Sequence, residues 1–266
     1  AREYSLWTLM TVLSCWAFLR AMRQPTPKHW FIYGFTLVVG WYSHLLFAAV
    51  AIAQTLAAVI VPDWMSTNRV ANVPSAAGQI TPSAQASSGQ PNHGLLSRCR
   101  GPFVGTMLIS LFCFSPWICV FLNQWGQVQN VVDATQRDPS LLYLVNVWGR
   151  NLSRVWFSAD LGIANILGVF GVGYSLVYLW HTVPRRISLF LLLLIGVNAL
   201  SLMLPDMVTG GISSTRIRYL FPAYLGIQLA IAHHLSHRLL QATGGSRRMW
   251  AGVITVVFVR GAIAAV

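Results

Sequence analysis

WFIYGFTLVVGWYSHLLFAAVAIAQTLAAVIV, residues 30–61, is the stretch that decides how this chain is read. It is about 32 residues of nearly unbroken apolar sequence, and a helix needs only about 20 to cross the hydrocarbon core of a bilayer. A single crossing is therefore excluded. The run is interrupted at Gly40-Trp41-Tyr42-Ser43-His44, where a glycine and two polar side chains fall together. The pattern predicts two helices joined by a tight turn at this point. Outward from it, further apolar runs lie at 5–19, 103–122, 161–180, 187–204, 219–235 and 249–266. With the divided run they predict about eight crossings, in an all-α polytopic transmembrane helical bundle.

Composition agrees with that class. Apolar residues make up 55% of the 266 and charged residues 9%, against about 25% charged in an ordinary soluble domain. Such a chain cannot cover a water-facing surface of normal polarity. Lys and Arg number 18 against 6 Asp and Glu. This excess does not point to nucleic acid, because the basic residues sit in short clusters between apolar runs and form no basic face interleaved with aromatics. Of the four cysteines, Cys15, Cys113 and Cys119 fall inside apolar runs and Cys99 lies between two arginines. Their spacing suits neither a metal site nor a disulfide framework, and they read as small buried hydrophobes. The chain opens on Ala1-Arg2-Glu3-Tyr4 and closes within an apolar run. It reads as one membrane domain over 1–266, a piece of a longer protein.

Orientation follows from the connecting segments. Alternating crossings put Arg20, Arg23, Lys28, Arg69, Arg98, Arg100, Arg185, Arg186, Arg238, Arg247 and Arg248 on one side. Arg2, Arg137, Arg150, Arg154, Arg216 and Arg218 fall on the other, and Arg260 lies within the last run. The richer side is assigned to the cytoplasm. On that side, residues 63–101 are polar and rich in Ala, Ser, Pro, Gly and Gln, which predicts a disordered loop, most of all over 74–94. On the outer side, residues 123–159 carry Trp125, Trp148, Trp156 and several leucines and valines. That composition predicts one or two amphipathic helices along the membrane interface, with the tryptophans as interfacial anchors. Gly168, Gly171 and Gly173 sit inside a crossing with no strand before them, so they read as helix-packing residues and not as a nucleotide loop.

A charge at membrane depth is costly and usually functional, so the polar residues at the outer ends of the crossings are the candidates. They are Arg2, Glu3, Tyr4, Ser43, His44, Asp160, Asp206, Arg216, Arg218 and Tyr219. All fall on one side at one depth, where they would line one cavity or merely mark where helices leave the bilayer. His233, His234 and His237 form a second group, with an i, i+4 pair on one helix face; it reads as an interfacial polar end or a metal site without acidic or cysteine ligands. Asn151-Leu152-Ser153 is a glycosylation sequon. The residues alone leave enzyme, transporter and assembly subunit open.

Three stretches carry a resemblance: AREYSLWTL at 1–9, LRAMRQPTPKHWFIYGFTLVVGWYSHLLFAAVAIAQ at 19–54, and RIRYLFPAYLGIQLAIA at 216–232. Their order and motifs resemble the GT-C polytopic membrane glycosyltransferases, nearest the family 39-like group related to protein O-mannosyltransferases and aminoarabinose transferases. Bacterial members commonly show an E-A-R-x-Y-(S/A)-L stretch, a G-x-Y-(S/T)-H turn and an R-Y-L-x-P-A run; here these fall at 1–6, where the leading Glu would precede Ala1, at 40–44 and at 218–223. Only 63–101 departs from the pattern, being longer than the family suggests.

The resemblance implies transfer of a sugar from a polyprenyl-phosphate donor to a lipid or protein acceptor at the outer face of a bacterial plasma membrane. It implies Glu3 as a secondary acidic residue, the main base being expected upstream of Ala1. It implies donor-phosphate binding by Arg218 and Arg216, with His44 and Tyr219 in the same cavity. A divalent cation belongs to that picture, with no ligands identifiable here. The competing reading is a transporter or lipid flippase that binds an anionic substrate.

The basic bias predicts the sidedness directly. Single cysteines at positions 23 and 218 should react oppositely with an impermeant thiol reagent: 218 labels from outside and 23 does not. The reverse pattern would overturn the orientation.

Overall fold

In a computed structural model the chain is described over residues 2–61, 93–124, 126, 139–156 and 162–264, with the side chains at 2–3, 93–99, 164 and 256–264 outside the description. Everything regular among these residues is helical. In chain order the helices are α1 (Arg2–Arg23), α2 (Pro27–Ser43), α3 (Phe47–Ile60), α4 (His93–Asn123), α5 (Leu141–Ser153), α6 (Asn165–Thr182), α7 (Arg185–Thr209), α8 (Phe221–Gln241) and α9 (Gly244–Ala264). Single 3₁₀ turns lie at Gly162–Ala164, Ser213–Thr215 and Ile217–Leu220.

The ends of α2 show why the long apolar run divides as it does. Thr26 caps the start, its hydroxyl accepting the His29 N–H, and Pro27 occupies the first turn, where it forfeits no hydrogen bond. At the other end His44 leaves the helix in an extended conformation, its own N–H donated to the Gly40 carbonyl at 3.2 Å. The His44 carbonyl then accepts the Phe47 N–H at 2.9 Å, and α3 begins. A side chain at position 40 would fall onto the Phe47 ring, so Gly40 lets the two helices start apart by only a few residues.

Each of the eight predicted crossings coincides with a helix. Three helical segments are long and apolar enough to cross a membrane: Tyr4–Arg23, Arg100–Asn123 and Arg185–Thr209. By contrast α3, with 14 residues, rises about 21 Å, short of a hydrocarbon core of ~30 Å. Helix α4 starts at His93, within the stretch 63–101 expected to be loop. The helix continues through Pro102, which has no N–H to give to the ladder. Residues 62–92 lie outside the described residues, as do Trp125 and 127–138.

Two packed centres share α7. Around the first, Phe18 of α1 stacks on Phe190 of α7 at 5.6 Å and meets Tyr33 of α2 at 5.7 Å and Phe103 of α4 at 6.0 Å. The second joins α6, α7, α8 and α9 through Val172, Ile195, Ile227, Ile231 and Trp250. The exterior is apolar too: Phe31, Phe112 and Phe170 are each more than 70% exposed. A belt of such side chains suits hydrocarbon and would be a large exposed patch in water. The same inversion corrects the reading of two cysteines. Cys113 and Cys119 are exposed on the bundle exterior, while Cys15 is half-buried; in a membrane an apolar run can face lipid as well as core.

Polar side chains have turned inward. Tyr33 donates its hydroxyl to Gln54 Oε1 at 2.8 Å, and Gln54 Nε2 donates to Ser14 Oγ at 3.1 Å. All three are fully buried, so this chain of bonds ties α1, α2 and α3 where no water can substitute. Leaving a buried polar group unpaired costs about 1–3 kcal/mol. Gln54→Met and Tyr33→Phe should each lower the unfolding midpoint in detergent, and the double variant should be less destabilised than the sum of the two. Strict additivity would show that the bond carries no coupling.

Candidate functional site

The three stretches that carry the family resemblance meet at one end of the bundle. Tyr4 and Trp7 come from the first two turns of α1, His44 from the α2–α3 turn, and Arg218 and Tyr219 from the 3₁₀ turn before α8. Trp7 is fully buried and stacks on the His44 imidazole, ring centres 4.5 Å apart and planes at 18°. Tyr4 lies 5.8 Å and Tyr219 6.4 Å from the same imidazole. The Arg218 guanidinium carbon stands 5.8 Å from the Tyr4 ring centre and 5.1 Å from that of Tyr219, with a long hydrogen bond of 3.4 Å from Nη2 to the Tyr219 hydroxyl. Two tyrosine faces thus hold a planar cation beside a histidine.

His44 accepts the Leu46 N–H at Nδ1, 3.1 Å away. In the neutral ring the proton therefore resides on Nε2, and that edge is a donor. The same histidine forms part of the wall of a cleft of about 290 Å³ whose other walls include Trp41, Tyr42, Phe114 and Trp117. Trp7 Nε1 is buried and makes no hydrogen bond. Guanidinium, imidazole and phenol thus lie together at this end of the bundle, a set of donors of the kind that suits anions.

Not every expected residue joins it. Arg216 is exposed at the junction of the two 3₁₀ turns, and among the described residues no hydrogen bond or cation–π contact links its side chain to the cluster. Ser43 spends its hydroxyl on the Gly40 carbonyl. Glu3 lies in the first turn of α1, but its side chain, like that of Arg2, is outside the described residues, as is Asp160. Asp206 is 4% exposed and turned away from solvent, because its Oδ2 accepts the Ser214 N–H.

Asp206 works at one remove, on the segment that carries Arg218. The end of α7 breaks at Gly210, whose φ of 74° is left-handed and favours glycine. A side chain at Gly211 would strike the Asp206 carboxylate. From the other side, α5 grips the same segment: Trp148 Nε1 donates to Ser214 Oγ at 2.9 Å and Asn151 Nδ2 to the Thr215 carbonyl at 2.8 Å. So α5 is amphipathic as expected, yet Trp148 is a tether to protein and not a free interfacial anchor. Trp156 likewise donates to the Gly168 carbonyl at 3.1 Å. An added side chain at Gly168 would meet the Ser153 backbone and at Gly171 the Trp156 ring, whereas Gly173 has open space; two of the three glycines pack as expected. The sequon asparagine, 3% exposed with its amide bonded to main chain, is not available to a glycosylating enzyme in this fold.

Trp7 and the α5 clamp were missing from the sequence reading. Trp7 had a signal, since it follows Tyr4 by three positions and shares its helix face. The clamp had none, because Asn151 and Thr215 are far apart in sequence. Among the described residues no group of three His, Cys, Asp or Glu side chains is placed to hold a metal ion. No ligand set for the divalent cation that the resemblance implies is therefore visible, and no step is drawn through one. The chain matches no family model, no curated protein and no solved structure.

Asp206→Ala should release the Ser214 N–H and loosen the Arg218 segment, raising protease cleavage within 210–218. Asp206→Asn retains an acceptor oxygen and should raise it far less. Equal cleavage in both variants would show that the carboxylate's bond does not hold the segment.

Proposed function

We propose that this chain acts in a multi-pass membrane glycosyltransferase that moves a sugar from a polyprenyl-phosphate donor to an acceptor at the outer membrane face. What supports the reading is that its three motif-bearing stretches, more than 150 residues apart at the extremes, converge on Arg218, His44, Tyr219 and Tyr4. Arginine suits the donor phosphate because its planar guanidinium matches phosphate geometry and cannot lose its charge. The tyrosine faces fix the plane of that guanidinium, and the His44 Nε2–H adds a second donor. The cleft beside His44 is near the lower limit of ligand pockets, ~300 Å³. Its aromatic walls suit the apolar face of a sugar ring.

The part of the rim with described side chains supplies donors and no general base. That observation favours a second reading, a transporter or flippase in which the same rim binds an anionic headgroup without transfer. Both readings need Arg218, and only the first produces a glycosylated acceptor.

Arg218→Lys in the complete protein separates a phosphate ligand from a lipid-facing anchor. An anchoring arginine is replaced well by lysine, which also reaches the headgroups; a phosphate ligand held between two tyrosine faces is not. Hydrogen bonds to charged groups contribute about 1.5–3 kcal/mol each. Losing one or two should therefore lower sugar transfer by about ten- to several-hundred-fold, at about tenfold per 1.4 kcal/mol. Expression and melting temperature should remain near wild type. Full transfer activity in Arg218→Lys would remove the phosphate role.

A further inference from the structure

Near the opposite end of the bundle, one face of α6 meets one face of α8 through polar pairs that the rim does not use. Ser175 Oγ lies 3.1 Å from His234 Nδ1, Tyr178 OH 2.6 Å from His237 Nδ1, and Thr182 Oγ1 3.0 Å from His233 Nε2. Arg238 donates through Nη2 to the Tyr174 hydroxyl, and its guanidinium carbon stands 5.0 Å from the Tyr178 ring centre. His234 is ringed by Tyr178 at 4.7 Å, Tyr174 at 5.0 Å and Trp250 of α9 at 6.0 Å.

The proton positions in this cluster follow from the bonds. Ser175 donates its hydroxyl hydrogen to the Gly171 carbonyl at 2.8 Å. Its oxygen must then accept from His234, which places the His234 proton on Nδ1. Nε2 of the neutral ring is left as a bare acceptor. That atom is shielded from solvent and has no hydrogen-bond partner, in a side chain only 5% exposed. Arg238 Nε is also shielded and unpaired. The two residues are one helical turn apart on the same face of α8.

Among residues with described side chains the one carboxylate is Asp206, at the far end of α7. A half-buried guanidinium with no carboxylate among the described residues, beside a buried imidazole with an unused acceptor, is a costly arrangement in an apolar setting. A ligand that offers an anion and a hydrogen-bond donor together would satisfy both. A metal cation would satisfy the imidazole but repel the arginine.

We propose that this cluster is a binding site for a phosphate group that carries or adjoins a hydroxyl. Arg238 holds the phosphate oxygens against the Tyr174 and Tyr178 walls, and His234 Nε2 accepts the hydroxyl hydrogen. Two sources share that chemistry: a phospholipid headgroup with a glycerol, and free hydrogen phosphate. The site is independent of the reading of the Arg218 rim.

The test uses the full chain in detergent and reads its melting temperature against added phosphatidylglycerol, phosphatidylcholine or inorganic phosphate. Phosphatidylglycerol should raise the melting temperature and phosphatidylcholine should not. A comparable rise with inorganic phosphate would assign the site to the free ion, and no rise with it would assign the site to the headgroup. Arg238→Gln should weaken the half-maximal concentration at least tenfold, while Arg248→Gln, an exposed arginine on α9, should not change it. Should Arg238→Gln fail to fold, His234→Phe serves in its place, with lipid retention read by native mass spectrometry. Equal responses in wild type and the cluster variants, or no response to either phosphate probe, would overturn the proposal.

Discussion

His44 gives its backbone N–H to Gly40, accepts the Leu46 N–H on its ring, and accepts the Phe47 N–H on its carbonyl. These bonds reverse the chain between α2 and α3. Without it, residues 30–61 would form one helix far longer than a bilayer is thick, and α7 would have no α3 to pack against. The reversal needs a glycine at position 40, where the Phe47 ring occupies the space a side chain would take. It also leaves the imidazole at the end of the bundle with its Nε2 edge as a donor. One residue therefore makes the turn and faces the candidate site.

The bundle is organised by two inward demands that differ from those of a water-soluble protein. In a bilayer, where the exterior is apolar as well, apolar side chains gain little by being inside. Polar groups and aromatic shapes must then specify which helix faces meet. The Ser14–Gln54–Tyr33 chain does this for α1, α2 and α3, and the stacked Phe18–Phe190 pair extends it to α7. On the other side of α7, the hydroxyls of α6 face the histidines and arginine of α8. In both places the pairing of hydrogen-bonding groups is more selective than the packing of leucines around it.

The rim gains its shape from residues that do not touch it. Asp206 and Asn151 hold the segment 213–215 from opposite sides, and the following turn presents Arg218 and Tyr219. An arginine at the end of a membrane helix ordinarily reaches for headgroups with a flexible stem. Here two tyrosine rings orient it.

The family resemblance pointed to His44, Arg216, Arg218 and Tyr219; the residues themselves gave the all-helical class, the break at Gly40–His44 and the positions of the helices. These are legible because apolar periodicity, glycine and capping residues act locally, within a few positions of the chain. Only the tertiary structure separated Arg218 from Arg216, turned Asp206 inward, buried Asn151, placed Trp7 on His44 and put Cys113 and Cys119 on the exterior. Those outcomes depend on which helix faces meet, and faces that meet are tens to hundreds of residues apart. A one-dimensional pattern records that a residue is polar or apolar; whether it meets a partner, lipid or an open pocket is settled by the neighbour across the interface.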